Sequence, residues 1–109
     1  MIEKMQILSM ALNRQFPEGN HPYQIMTRFL EESGELAQQV SHFEDSGVKR
    51  NKHGEPSRER LAQEVKDVLT CLFQLTAYYG IEKELETAID NSLQNLEAAG
   101  FLGSKPTQA

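Results

Sequence analysis

The chain has 109 residues, of which 39% are hydrophobic and 25% are charged, and its formal net charge is −5. These values are typical of one soluble globular domain rather than a disordered chain, and the acidic balance disfavours nucleic acid, whose binding depends on clustered Lys and Arg. Because there is no apolar run of membrane-spanning length, no signal-peptide pattern and only one cysteine, Cys71, we expect a cytoplasmic protein without a membrane partner.

Glycine and proline divide the chain into four predicted helices. Apolar residues at helical spacing predict the first helix over about 2–15. A polar break follows, in which Pro22 suits the first turn of the next helix and Asn20 or His21 is a candidate cap. A broad apolar stripe with a period of 3.6 predicts the second helix over about 23–44.

The second half of the chain begins with a polar segment. Residues 45–56 combine glycines with charged side chains and are expected to form a loop. Apolar spacing predicts a third helix over about 57–79, with Gly80 as its C-terminal cap. The same spacing predicts a fourth helix over about 82–99, which ends at Gly100.

This order of elements predicts an all-α protein, a four-helix bundle. We expect a single domain over 1–102 and a flexible C-terminal tail over 103–109. The apolar arc of the third helix covers nearly half of its circumference, which is more than one antiparallel neighbour needs. The chain is therefore expected to form a homo-oligomer, either a dimer or a tetramer.

Two pairs of carboxylates are each spaced three residues apart on a predicted helix. Glu32 and Glu35 share a face of the second helix, and Glu64 and Asp67 share a face of the third. A single pair of this kind is ordinarily a solvated surface, but Glu64 falls inside an apolar arc, where an uncompensated carboxylate is costly. In projection Lys66 points away from its acidic neighbours, so a divalent cation is the expected neutraliser. Oxygen ligands favour Mg²⁺, Mn²⁺ or Ca²⁺.

The carboxylate pattern resembles the signature of the MazG-like, all-α nucleoside triphosphate pyrophosphohydrolases. The resemblance covers about residues 22–96, and its motifs are Glu31-Glu32-Ser33-Gly34-Glu35, a spacer, and Glu64-Val65-Lys66-Asp67. It implies Mg²⁺-dependent cleavage of an NTP or dNTP to the monophosphate and pyrophosphate, with house-cleaning of non-standard nucleotides as one role. Mn²⁺ would be a substitute metal.

The resemblance also assigns roles to individual side chains. It implies that four of the carboxylates are both metal ligands and catalytic residues, namely Glu32, Glu35, Glu64 and Asp67. Glu31 would be an additional ligand, or would orient or deprotonate the attacking water.

The last helix departs from this pattern. Several relatives carry a Lys-x-x-x-Asn-x-x-Arg-like run there, whereas residues 88–95 contain neither Lys nor Arg. Candidate substrate-binding residues are therefore polar or basic side chains at other positions, namely Arg28, Lys49, Arg50, Lys52, Asn91 and Asn95. His53 is a further candidate for a phosphate contact. A solvated surface is the competing interpretation for the basic cluster, and a polar outer face for the two asparagines.

Two other functions stay open at this stage. The phosphoribosyl-ATP pyrophosphohydrolases share the acidic-helix pattern. A non-catalytic oligomerisation or regulatory module could use the same helical bundle. Mg²⁺-dependent release of pyrophosphate from a nucleotide separates the enzymes from the module, and the sequence does not specify a preferred base.

Overall fold

The structure is a computed structural model that describes residues 1–45 and 47–103. Within this part of the chain every regular element is an α-helix, and the helices are, in order, α1 (Ile2–Gln15), α2 (Pro22–Glu44), α3 (Val48–His53), α4 (Arg58–Tyr79) and α5 (Glu82–Ala98). The all-α prediction and the four long helices are thus confirmed. Of the predicted tail, all residues except Gly103 lie outside the described part of the chain. No described helix combines the length and apolar character needed to cross a bilayer.

The predicted loop over 45–56 is wrong in its central part, which forms the short helix α3. This helix ends at Gly54, whose φ of 80° favours glycine. Arg50 anchors it to the end of α2, because its Nη2 donates to the carbonyl oxygen of Phe43 at 3.0 Å. The described residues therefore contain five helices instead of four.

The ends of the long helices are set by the residues that the sequence singled out. His21 is the N-cap of α2: its Nδ1 accepts from the backbone N–H of Tyr23 at 3.2 Å, and its own N–H donates to Gln24 Oε1 at 3.1 Å. Gly80 ends α4 with a φ of 63° and Gly100 ends α5 with a φ of 81°. At His21 and Gly100 the predicted boundaries hold because these residues pair backbone groups at a helix end, as in the bond from Gly100 N–H to the carbonyl oxygen of Glu97.

The chain divides into two compact units, Met1–Tyr79 and Gly80–Ala109. In the first unit α4 packs against both α2 and α1. Its most buried side chains include several polar ones, and they are Met5, Ser9, Ile25, Thr70, Cys71, Gln74 and Thr76. The second unit contains α5, on which Ile89, Leu93 and Leu96 are exposed and Leu85 is partly buried. The single domain over 1–102 stays a prediction.

The contacts between α2 and α4 show that these helices are antiparallel. Near the start of α2, Arg28 donates to Gln74 near the end of α4, over 3.3 Å. Further along α2, Gln39 lines one cleft with Arg60, which lies at the start of α4. Residue numbers therefore rise along α2 as they fall along α4, and this register places the two acidic motifs opposite each other.

Candidate metal centre

Three carboxylates meet where α2 and α4 face each other. Glu32 and Glu35 on α2 and Glu64 on α4 each offer one oxygen, and these oxygens all lie within 4.8 Å of one another. The spacing of three residues puts the first two on one face of α2. Antiparallel packing then brings Glu64 to them from α4. Three of the four predicted metal ligands are thus brought together.

The carboxylates of Glu32 and Glu64 are poorly compensated. Each has a buried Oε2 atom that receives no hydrogen bond from the described residues. Burial, followed by the negative charges of Glu35 and Asp67, raises the pKa of Glu32 to about 7. Burial and the same two neighbours also raise the pKa of Glu64. Desolvated carboxylates that repel one another are suited to a hard divalent cation, which accepts oxygen ligands.

Asp67, the fourth predicted ligand, lies at the edge of this cluster. It is close enough to raise the pKa values of Glu32 and Glu64, but its own Oδ1 lies 2.9 Å from Lys66 Nζ. The expectation that Lys66 points away is therefore wrong, because its long, flexible side chain turns back to its sequence neighbour. Glu31, the remaining residue of the acidic motif, is exposed on α2.

Arg28, a predicted substrate-binding residue, belongs to a polar network next to the carboxylates. Its Nη1 donates to the carbonyl oxygen of Gly19, and its Nη2 donates to Asn20 Oδ1 at 3.4 Å and to Gln74 Oε1 at 3.3 Å. Gln74 in turn donates from Nε2 to Asn13 Oδ1 at 3.0 Å. The guanidinium is therefore held in one place by residues that were not predicted to contact it.

A cleft of about 300 Å³ connects this network to the acidic cluster. Its lining includes Arg28 and Gln74 from the network, together with Glu32 and Asp67 from the cluster. The buried Cys71 also lines it, and burial raises the pKa of that thiol. The cleft is within the usual size range of small-ligand sites. A molecule bound there would contact anchored cationic and acidic groups together.

The basic residues of α3 differ in whether they contact other residues of the protein. Arg50 contacts Phe43, and its Nη1 also lies 3.9 Å from Glu55 Oε2. Lys52 is exposed, and the side chain of Lys49 lies outside the described part of the structure. Arg50 is therefore mainly a structural link, whereas Lys52 is available to a ligand.

Asn91 and Asn95 lie on α5, in the second unit, where both are exposed. Their spacing of four residues places them on one face of that helix, as predicted. Their part in substrate binding stays a prediction.

A second cleft, of about 430 Å³, is also formed by the first unit. It is lined by Gln38, Gln39, His42, His53 and Arg60. His53 was a candidate from the sequence, whereas Gln39 and Arg60 were not selected. Gln39 lies four residues after Glu35, and Arg60 lies four residues before Glu64, so each pair shares a helix face. These spacings place Gln39 and Arg60 near each other only when the antiparallel register is known.

Comparisons with known proteins add no further constraint on this site. No family model, curated protein or solved structure matches the chain. Function is therefore inferred from the side chains that α2 and α4 bring together and from the resemblance of their acidic motifs to the MazG-like signature.

Proposed function

We propose that the chain is a Mg²⁺-dependent nucleoside triphosphate pyrophosphohydrolase of the MazG-like kind. It would cleave an NTP or dNTP to the monophosphate and pyrophosphate. The observation that carries this proposal is the meeting of Glu32, Glu35 and Glu64, two of which bury an oxygen that receives no hydrogen bond within residues 1–45 and 47–103. Clustered carboxylates of this kind are costly to a fold unless a cation compensates them.

The donor set fits Mg²⁺ or Mn²⁺. Glu32, Glu35 and Glu64 would hold the metal, and Asp67 would join them on exchanging its contact with Lys66. When bound, the cation supplies neutralisation of charge on phosphate oxygens and polarisation of the phosphorus centre. The exposed Glu31 carboxylate is free to accept a proton from water or to orient it.

Arg28 contributes a fixed positive charge beside the carboxylates. Its three hydrogen-bond acceptors leave the guanidinium little freedom to move, so binding a phosphate would cost little side-chain entropy. The same cleft contains Glu32, which places a phosphate contact and a metal ligand on one surface. Pre-organisation of this kind is the main contribution that a protein makes to phosphoryl chemistry.

Two alternative functions differ from this proposal, one in its substrate and the other in having no catalytic activity. A phosphoribosyl-ATP pyrophosphohydrolase would use the same carboxylates on another substrate. A non-catalytic oligomerisation module is favoured by a different observation, the apolar stripe of α5, where Ile89, Leu93 and Leu96 are between 42% and 47% exposed. A homo-oligomer, either a dimer or a tetramer, and a cytoplasmic location belong to both the enzymatic and the non-catalytic proposals.

The experiment that separates these functions is a substrate screen with product analysis. Ordinary and modified NTPs and dNTPs, together with phosphoribosyl-ATP, are incubated with the protein and Mg²⁺. Parallel samples contain EDTA. The proposal predicts a nucleoside monophosphate and pyrophosphate from at least one NTP or dNTP, and only with the metal. Release of orthophosphate with a diphosphate would contradict the proposed bond cleavage, and absence of turnover on the whole panel would favour the module.

A further inference from the structure

The cleft of about 430 Å³ formed by Gln38, Gln39, His42, His53 and Arg60 has no role in the metal site itself, and we call it the histidine cleft. Residues of α2, α3 and α4 contribute to it. Its lining consists of two amides, two imidazoles and one guanidinium. All five side chains can donate hydrogen bonds, and none of them is a carboxylate.

The histidine cleft is adjacent to the acidic cluster along the groove between α2 and α4. Gln39 follows Glu35 by four residues on α2, and Arg60 precedes Glu64 by four residues on α4. Since the helices are antiparallel, both steps go in the same direction. Each step is about 6 Å at a rise of about 1.5 Å per residue. The cleft therefore begins about one helical turn from the carboxylates, a distance that a triphosphate chain is long enough to cover.

The guanidinium of Arg60 is the donor of the cleft that is most available for a ligand. The guanidinium of Arg60 forms neither a hydrogen bond nor an ion pair with the described residues; only its backbone N–H is engaged, with Ser57 Oγ at 3.2 Å. By contrast, Arg28 is held by three acceptors and Lys66 contacts Asp67. Arg28, Lys66 and Arg60 line the two clefts, and of these Arg60 is the one whose cationic group contacts no partner in the described part of the chain.

The two histidines give the cleft a fixed wall. His42 Nε2 lies 2.7 Å from the carbonyl oxygen of Gly54, which requires that this nitrogen carries the proton and donates it. The His53 ring packs edge-on against the His42 ring, with centroids 6.2 Å apart. These contacts hold His42 in place at the edge of the cleft. Gln39 Oε1 is buried and has no hydrogen-bond partner among the described residues; being an acceptor, it does not bind an anion, so the Gln39 amide would contribute through its Nε2 donor.

We infer that the histidine cleft binds a diphosphate anion: the terminal phosphates of the triphosphate substrate and, after cleavage, inorganic pyrophosphate. This assignment rests on the proposed function, because it identifies the anion as the leaving half of that substrate. Arg60 supplies the charge and a planar set of donors that match phosphate oxygens. The N–H groups of the His53 ring and of the Gln38 and Gln39 amides can add neutral hydrogen bonds, and the lining contains no carboxylate with which the anion would compete.

The direct test is calorimetric titration of the full-length protein with inorganic pyrophosphate in EDTA, which removes any contribution from a metal. We expect the parent to bind and Arg60→Gln to raise the Kd about tenfold, as the loss of a charge-assisted hydrogen bond predicts. Arg58→Gln is the matched control. It removes the same charge from the same turn of α4, but Arg58 lines a different, apolar groove. His53→Asn should also weaken binding.

Three outcomes decide the inference. Binding that weakens in Arg60→Gln and stays unchanged in Arg58→Gln supports the histidine cleft as the anion site. No binding by the parent, or equal weakening by both arginine variants, overturns it.

Kinetics with Mg²⁺ separates this inference from the proposed function. If a nucleotide is hydrolysed but Arg60→Gln leaves its KM unchanged, the cleft assignment fails and the enzyme assignment stands. If pyrophosphate binds through Arg60 but no nucleotide is hydrolysed, the anion site stands and the enzyme assignment fails.

Discussion

Glu32 on α2 and Glu64 on α4 each bury one carboxylate oxygen that no described residue hydrogen-bonds. Together with Glu35, they offer oxygens within 4.8 Å of one another. Without a cation, this arrangement combines desolvation with repulsion between like charges, and both effects are unfavourable. Carboxylates that destabilise the folded protein without a cation should differ from a structural ion pair in how their mutation changes stability.

The first prediction concerns neutralisation of one ligand. Glu32→Gln or Glu64→Gln should leave the melting temperature of the metal-free protein level or raise it, because each change removes a buried, repelled charge. Added Mg²⁺ or Mn²⁺ should raise the melting temperature of the parent more than that of either variant. Thermal melts in EDTA and in metal measure both effects.

Glu44→Gln is the control for this comparison, because it removes the same charge from an exposed position on α2. Added metal should raise the melting temperature of Glu44→Gln as much as that of the parent. A clear drop in the melting temperature of metal-free Glu32→Gln or Glu64→Gln would mean that these carboxylates stabilise the fold through partners other than a cation.

The second prediction is a pH dependence of stability that arises from Glu32. Its pKa is raised from 4.5 to about 7 in the folded protein, so the folded state binds this proton more tightly than the unfolded state does. The resulting stabilisation is complete below about pH 4.5 and is lost as the pH rises through about 7. In urea titrations with EDTA, the stability of the parent relative to Glu32→Gln should therefore fall between pH 5 and pH 8.

Comparing the two proteins at each pH removes the contribution of the other titrating groups that are unaffected by the substitution. A relative stability that is the same at pH 5 and pH 8 would show that the folded protein does not perturb this carboxyl group.

The long helices could be predicted from the sequence because their apolar spacing and their glycine and proline boundaries are local signals. His21, Gly80 and Gly100 cap the helix ends, as expected. Helix α3 could not be predicted, since Val48 is its one apolar residue and its stability depends on the contact of Arg50 with the end of α2. Short polar helices carry no periodic pattern to detect.

The acidic motifs were visible in the sequence for the same reason, because a spacing of three residues places two side chains on one helix face. What the sequence could not supply is the register between α2 and α4. That register pairs Arg28 with Gln74 and places Arg60 in one cleft with Gln39. The position of Lys66 was also inaccessible, because a projection along the helix ignores the flexibility of a long side chain.

The third prediction concerns Gln74, which is buried on α4 and bridges Arg28 and Asn13. Gln74→Met keeps a similar volume but leaves both partners without this hydrogen bond. We expect a loss of about 1–3 kcal/mol in the free energy of unfolding. Urea denaturation measures this loss as a lower midpoint with an unchanged slope.

Gln63→Met is the matched control, because Gln63 lies on the same helix and is exposed. It should change the free energy of unfolding by no more than about 0.5 kcal/mol. Equal midpoints for the two variants would show that the bridge through Gln74 does not contribute to stability.

The fourth prediction concerns assembly. Val65 and Leu72 on α4 are 40% and 41% exposed, and they belong to the wide apolar arc of that helix. Light scattering should detect a dimer or tetramer at micromolar concentration, and Leu72→Glu should shift it towards the monomer. Ala77→Glu, at another exposed position on α4, should have a smaller effect. A stable monomer of the parent would contradict the prediction.

The central claim is that the carboxylates of α2 and α4 form a catalytic metal site, and pyrophosphate release tests it most directly. With the best nucleotide of the screen and Mg²⁺, the parent and Glu44→Gln should release pyrophosphate at similar rates. Glu64→Gln, folded as judged by its melting temperature, should lose at least about 100-fold in kcat. Pyrophosphate release by folded Glu64→Gln at the rate of the parent would contradict the claim.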